Sequence, residues 1–202
     1  MAEKEGFRAA AFAAAGIIGL QSVYNLIADN GFLLRPPGIQ SEEDFLSRCT
    51  SCGKCIEACP YVAIQAATWQ AGIAAGTPVI DAASQACQLC HDFPCVAACP
   101  TGALRDVSKR EDVRMGTAVI DEELCIAISK SIRCEVCYRS CPLIGEAITC
   151  EYRVPEAGNR GFAIFAPVVD AEKCTGCGIC VQRCYVRQPT TAIRIEEAQR
   201  NQ

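Results

Sequence analysis

Between Ala9 and Leu20 the chain has no polar side chain, and Gln21 to Ala28 lengthens this run to twenty residues broken only by Gln21, Ser22 and Asn25. As a helix it would be about 30 Å long, enough to cross the hydrocarbon of a bilayer. Three readings fit it: an uncleaved membrane anchor, the apolar part of a signal peptide, or an amphipathic helix docked on a membrane subunit. Asn30 to Gly38 follows as a turn-rich connector through which no helix continues, because Pro36 and Pro37 lack the amide hydrogen. The pattern therefore predicts an N-terminal hydrophobic helix over residues 1–30 and a separate body over 31–202.

Within the body the apolar period changes. Ser41 with Asp44 three residues on has the form of a capping box opening a short helix into Cys49. Alternation over four to six residues marks short strands at Thr117–Asp121, Ala147–Tyr152, Phe162–Phe165 and Ala192–Glu196. Strands are also expected after Cys59-Pro-Tyr-Val-Ala-Ile64, Cys99-Pro-Thr-Gly-Ala-Leu104 and Cys141-Pro-Leu-Ile-Gly-Glu-Ala-Ile148. The unit strand, cysteine loop, helical turn, strand recurs four times, which makes the body α+β and internally repetitive.

Seventeen of the 202 residues are cysteine, and sixteen fall into four groups. Residues 49–60 carry Cys49, Cys52, Cys55 and Cys59; residues 87–100 carry Cys87, Cys90, Cys95 and Cys99. Residues 125–142 carry Cys125, Cys134, Cys137 and Cys141, and residues 174–184 carry Cys174, Cys177, Cys180 and Cys184. The first group reproduces the C-x2-C-x2-C-x3-C-P run with which bacterial ferredoxins hold a cubane 4Fe-4S cluster, the fourth cysteine ligating the neighbouring cluster. Three thiolates on a short loop close on three corners of one cube, while Cys59 lies a helical turn beyond Cys55 and points elsewhere. A disulfide framework does not need cysteines two residues apart in threes. Zinc ribbons use paired knuckles without the third cysteine, and remain the reading from another class, a zinc-binding assembly module. Cys87-x2-Cys90-His91 also matches a c-type haem attachment motif, but that use would leave Cys95 and Cys99 without a cluster.

Four groups make two ferredoxin-like two-cluster domains, nested or in tandem. Because the outer groups share one spacing and the inner ones carry insertions, nesting is the favoured expectation. It gives Cys49, Cys52, Cys55 with Cys184; Cys174, Cys177, Cys180 with Cys59; Cys87, Cys90, Cys95 with Cys141; and Cys125, Cys134, Cys137 with Cys99. Tandem pairing of neighbours stays open, with the same sixteen ligands and four 4Fe-4S clusters.

The formal charge of −4 becomes more negative once clusters are bound. Lys and Arg are scattered rather than gathered in a stripe, so nucleic acid is excluded as an expected partner, and a redox partner with a basic surface is favoured. There is no radical-enzyme C-x3-C-x2-C, no phosphate loop and a single histidine, so an electron carrier is expected rather than an enzyme. Cys150, the seventeenth cysteine, reads as a small buried hydrophobe; Tyr61, Tyr138 and Tyr185 as shields of the clusters; Lys54, Lys173 and Arg183 as cations able to raise cluster potentials.

Leu34-Arg-Pro-Pro-Gly38, Ala75-Gly-Thr-Pro78, Arg133-Cys-Glu-Val-Cys-Tyr-Arg139, Ala171-Glu-Lys-Cys-Thr-Gly-Cys-Gly178 and the unusual x8 spacing together resemble the NapG/MauM family of ferredoxin-type proteins. The likeness spans roughly residues 34 to 193. It implies a membrane-associated protein on the periplasmic side that relays single electrons from a quinol/quinone-linked membrane partner towards a reductase or cytochrome, in nitrate reduction or methylamine utilisation. The family's twin-arginine signal is represented here only by a lone Arg8, which keeps the cytoplasmic side as the alternative. An electron-transfer subunit of a molybdopterin-type oxidoreductase is the second functional reading.

Overall fold

The computed structural model describes residues 31–153 and 164–198. The apolar run of residues 9–28, and with it the expected N-terminal helix, lies outside them; among the described residues no helix is long and apolar enough to cross a membrane.

The first half opens with α1 (Glu42–Arg48), whose N-terminus is capped by the Ser41 hydroxyl accepting the Asp44 amide at 3.2 Å, as the capping box requires. α2 (Lys54–Glu57) follows the first two cysteines and carries the third, Cys55, and β1 (Ile64–Ala66) returns against β2 (Pro78–Ile80) in an antiparallel pair with Ile64 opposite Ile80. α3 (Pro94–Ala97) stands in the second cysteine group and packs on α2. β2 was not among the expected strands, since it starts at a proline; the first position of a strand tolerates the missing donor.

The second half is the fuller version of the same plan. β3 (Thr117–Ile120) pairs with the last strand, β6 (Ile193–Glu196), while β4 (Ile148–Arg153) and β5 (Ile164–Val169) form the inner pair. Between them lie α4 (Ile126–Ser129), α5 (Val136–Ser140) and α6 (Ile179–Arg183). β5 extends beyond the predicted Phe165 to Val169 and runs through Pro167, which a two-stranded ribbon accommodates.

No strand forms after Cys99, contrary to expectation. The segment facing it is Leu34 to Gly38, whose Pro36 and Pro37 have no N–H to give a ladder. All that remains of the outer pair is the Arg105 amide donating to the Gly38 carbonyl at 2.9 Å, and the Ile80 amide donating to Leu34 at 2.8 Å. Arg35 compensates. The residue is only 4 % exposed, and its guanidinium donates to the Thr77 hydroxyl at 2.7 Å, the Pro78 carbonyl at 2.9 Å and the Glu42 carboxylate, and lies 4.8 Å from the centre of the Phe45 ring.

The cores are assembled around cysteines. One joins Phe45, Ile80, Leu89, Phe93, Leu104 and Val113 to Cys55 and Cys95, and takes in Cys177 and Ile179 from the second half. Another joins Ala118, Ile148, Val181 and Ile193 to Cys137, Cys174 and Cys180.

Candidate metal centres

Gly53 starts α2 with φ +75° and Gly178 starts α6 with φ +81°, a left-handed turn that glycine takes without strain. Each turn swings the chain so that three preceding or following thiols face one point. Cys49, Cys52 and Cys55 then line one cavity with Cys99, walled by Phe45, Pro78 and Leu104. Cys87, Cys90 and Cys95 line another with Cys59, and Cys174, Cys177 and Cys180 a third with Cys141. The same four-thiol lining recurs in all three. In the remaining group Cys125 lies within electrostatic reach of Cys134 and Cys184, and Cys137 within reach of Cys125 and Cys134.

Neighbouring groups exchange their fourth cysteines: the first with the second, the third with the fourth. The nested sets are therefore wrong. Cysteine spacing is a local property and carries no information about the mate; connection is what decides it. β1 and β2 form a hairpin between the first two groups, and β4 and β5 between the last two, so consecutive units close on each other at the smallest entropic cost. The insertions are absorbed without moving the sulfurs. In the x4 loop Phe93 turns at φ +40° into the buried wall and Pro94 begins α3; in the x8 loop the extra residues coil into α4, which packs on β5.

Burial dominates the acidity of most of these thiols. It pushes Cys55, Cys95 and Cys177 up to about 11, and Cys87 and Cys137 up to about 12, with neighbouring cysteines adding to the rise. A cage that penalises free thiolates is stabilised when bound cationic iron takes up their charge. Cys99 departs from this. Burial raises it too, but the amides of Leu104, Thr101 and Ala103 and the Thr101 hydroxyl aim at the sulfur and outweigh burial, leaving the thiol below its ordinary range. Amides of Ala63 and Ala118 donate to Cys59 and Cys174 sulfurs at 3.4 Å each. Such bonds stabilise added negative charge and set cluster potential.

Among the described residues no three His, Cys, Asp or Glu side chains converge tightly enough for a single metal ion. A tetrahedral zinc needs its sulfurs at about 2.3 Å from one centre. Thiols spread around a cavity suit a polynuclear cluster instead.

Cys87 and Cys90 both belong to such a set, which removes the thioether reading, and His91 is exposed beside it. Tyr138 is half-buried, but Tyr61 and Tyr185 are 50 % and 79 % exposed, so Tyr185 shields nothing. Lys54 and Arg183 are exposed and Lys173 pairs with Asp170 at 3.5 Å. Cys150 is half-buried rather than buried, on the side of β4 that faces Cys137. Two residues had no role assigned from the sequence beyond the family phrases that contain them: Arg35, which props the wall of the first cavity through Phe45, and Thr175, 3 % exposed, whose hydroxyl donates to the Cys177 sulfur.

A family model described as a 4Fe-4S dicluster domain matches twice, at residues 48–103, which enclose the first two groups, and at 130–187, which enclose the last two except Cys125. The ferredoxin-type protein NapG of Escherichia coli is 43 % identical over 189 residues, covering 92 % of this chain and 80 % of that one. The methylamine utilization ferredoxin-type proteins MauM of Methylobacillus flagellatus and Methylorubrum extorquens are 39 % and 42 % identical over 165 and 164 residues. These alignments cover 81 % and 80 % of this chain, and 68 % and 71 % of the relatives.

Proposed function

The chain belongs to the family of ferredoxin-type proteins that includes NapG and MauM, and from that premise we propose that it relays single electrons through four 4Fe-4S clusters. The ligands are Cys49, Cys52, Cys55 and Cys99; Cys59, Cys87, Cys90 and Cys95; Cys125, Cys134, Cys137 and Cys184; and Cys141, Cys174, Cys177 and Cys180. The observation that carries this reading is the threefold recurrence of a cavity lined by four thiols, three from one group and one from its neighbour. When bound, such clusters supply reversible one-electron chemistry. The protein's part is to hold them by thiolate, exclude water with Phe45, Phe93 and Leu104, and set potentials through amides aimed at sulfur.

Donor and acceptor are part of the same proposal: a quinol/quinone-linked membrane partner on one side and a reductase or cytochrome on the other. The apolar run at residues 9–28 supports membrane attachment, and the family likeness supports the periplasmic face. Anaerobic purification with counting of iron and acid-labile sulfide, then EPR during stepwise reduction, tests the core of it. Four clusters give sixteen-fold iron with matching sulfide and spectra from interacting centres; an iron-free or zinc-loaded chain overturns it.

A further inference from the structure

The first and fourth cysteine groups have the same spacing and opposite surroundings. Thr50, Ser51 and Cys52 are exposed, whereas every residue from Cys174 to Cys180 is buried. The cover comes from the first half of the chain. The Cys87 amide donates to the Cys177 carbonyl at 3.0 Å and the Met115 amide to the Thr175 carbonyl at 3.0 Å. Side chains close the rim: the Gln182 amide donates to the Ser84 carbonyl at 3.1 Å and to Gln85 at 3.0 Å, and Arg187 donates to the Ala83 carbonyl at 3.3 Å.

Glycine makes the approach feasible. A Cβ on Gly176 would sit 2.3 Å from the Gly116 amide nitrogen, and one on Gly178 would sit 2.4 Å from the Ala82 methyl. No side chain fits between the two backbones here. Of the four ways in which a cysteine set of one half could adjoin a set of the other, the backbone joins this one directly, ligand residue to ligand residue.

We infer that electrons cross between the halves at one junction, from the Cys59, Cys87, Cys90, Cys95 set to the Cys141, Cys174, Cys177, Cys180 set, with the Cys87 to Cys177 peptide contact as the bridge. The inference rests on the proposed reading that all four sets hold clusters. It orders the route: the Cys49 set, the Cys87 set, the Cys174 set, the Cys125 set, the first and last being the ends that meet partners. The outward-facing Cys52 belongs to an end and the enclosed Cys177 to the middle. At the junction one electron leaves one side as the other gains it; no bond forms and no proton moves. Electron transfer falls steeply with distance, so closing the gap with glycine rather than with side chains sets the rate of crossing.

The test is a wedge. Ala82→Trp widens the seam at Gly178 and lies five residues from the nearest cysteine. Signals are assigned first with Cys90→Ala and Cys141→Ala, each of which deletes one side of the junction. The wild-type protein, partly reduced with a low-potential one-electron reductant, shows magnetic coupling between those two signals by EPR. Ala82→Trp keeps its iron and loses that coupling while the couplings within each half persist. A milder variant, Gln182→Ala with Arg187→Ala, weakens it in the same direction if the wedge fails to fold. Full iron with the two assigned signals uncoupled in the wild type, or coupling unchanged in a folded Ala82→Trp, overturns the junction; a chain that never carries the clusters overturns the proposed function instead.

Discussion

Replacing Gly38 by alanine puts the loop that carries Cys99 under direct strain. Gly38 has φ +95°, and a Cβ there would lie 2.4 Å from the Arg105 carbonyl oxygen and 2.9 Å from its nitrogen, both backbone atoms that cannot swing aside. An L-residue held in the left-handed region costs about 1–2 kcal/mol. The Arg105 amide bond to Gly38, a neutral backbone pair, contributes about 0.5–1.5 kcal/mol and is lost as the two segments part. The sum is about 1.5–3.5 kcal/mol, and it falls on the segment from Cys99 to Arg105, whose amides at Thr101, Ala103 and Leu104 hold the Cys99 sulfur. Gly38→Ala therefore loosens the cluster of the Cys49 set before any other. Denaturation of the anaerobic holoprotein, followed by absorbance of the clusters and by released iron, reads both effects. A variant within about 0.5 kcal/mol of wild type, with iron lost in one step as before, refutes the reasoning.

Arg35→Met keeps the aliphatic stem against Phe45 but removes the bonds to Thr77, Pro78 and Glu42; with Glu42 half in solvent, a loss of about 2–3 kcal/mol is expected by chemical denaturation. Asp44 accepts from Arg48 at 2.8 Å and Arg105 at 2.9 Å, and these bonds hold its carboxyl below the usual range. A depressed folded value stabilises above the unfolded pKa of about 3.8, and the gain is lost as pH falls through the folded value, so Asp44→Asn should lower stability at neutral pH, change little below the folded value, and thereby flatten the acid limb of the stability curve. Cys150→Ser should retain full iron and change stability by less than about 1 kcal/mol, since every cluster set is complete without it.

The cysteine groups were legible because the motif is local: in the first and fourth, three sulfurs within seven residues, a glycine able to turn, a helical step to the fourth. The α+β unit was legible for the same reason, as β1, β3, β4 and β6 followed from alternation at Ile64, Thr117, Ile148 and Ile193. Pairing was not legible. Spacing pointed to nesting of like with like, whereas the hairpins β1–β2 and β4–β5 bring together whichever groups are adjacent in the chain. The failed strand after Leu104 shows a second limit, since its own residues favour extension and the defect sits in Pro36 and Pro37 about seventy residues earlier. Arg35 and Thr175 were invisible because a buried polar group declares itself only through its partners.

Sharing between neighbouring groups is open to a direct count of iron in Cys52→Ala, Cys99→Ala and the double variant. If both thiols grip the same cluster, the double variant loses no more iron than the worse of the singles and the same EPR signal disappears in all three. If the double loses the iron of two clusters, with two distinct signals gone, Cys99 serves another set and the pairing of neighbours is contradicted.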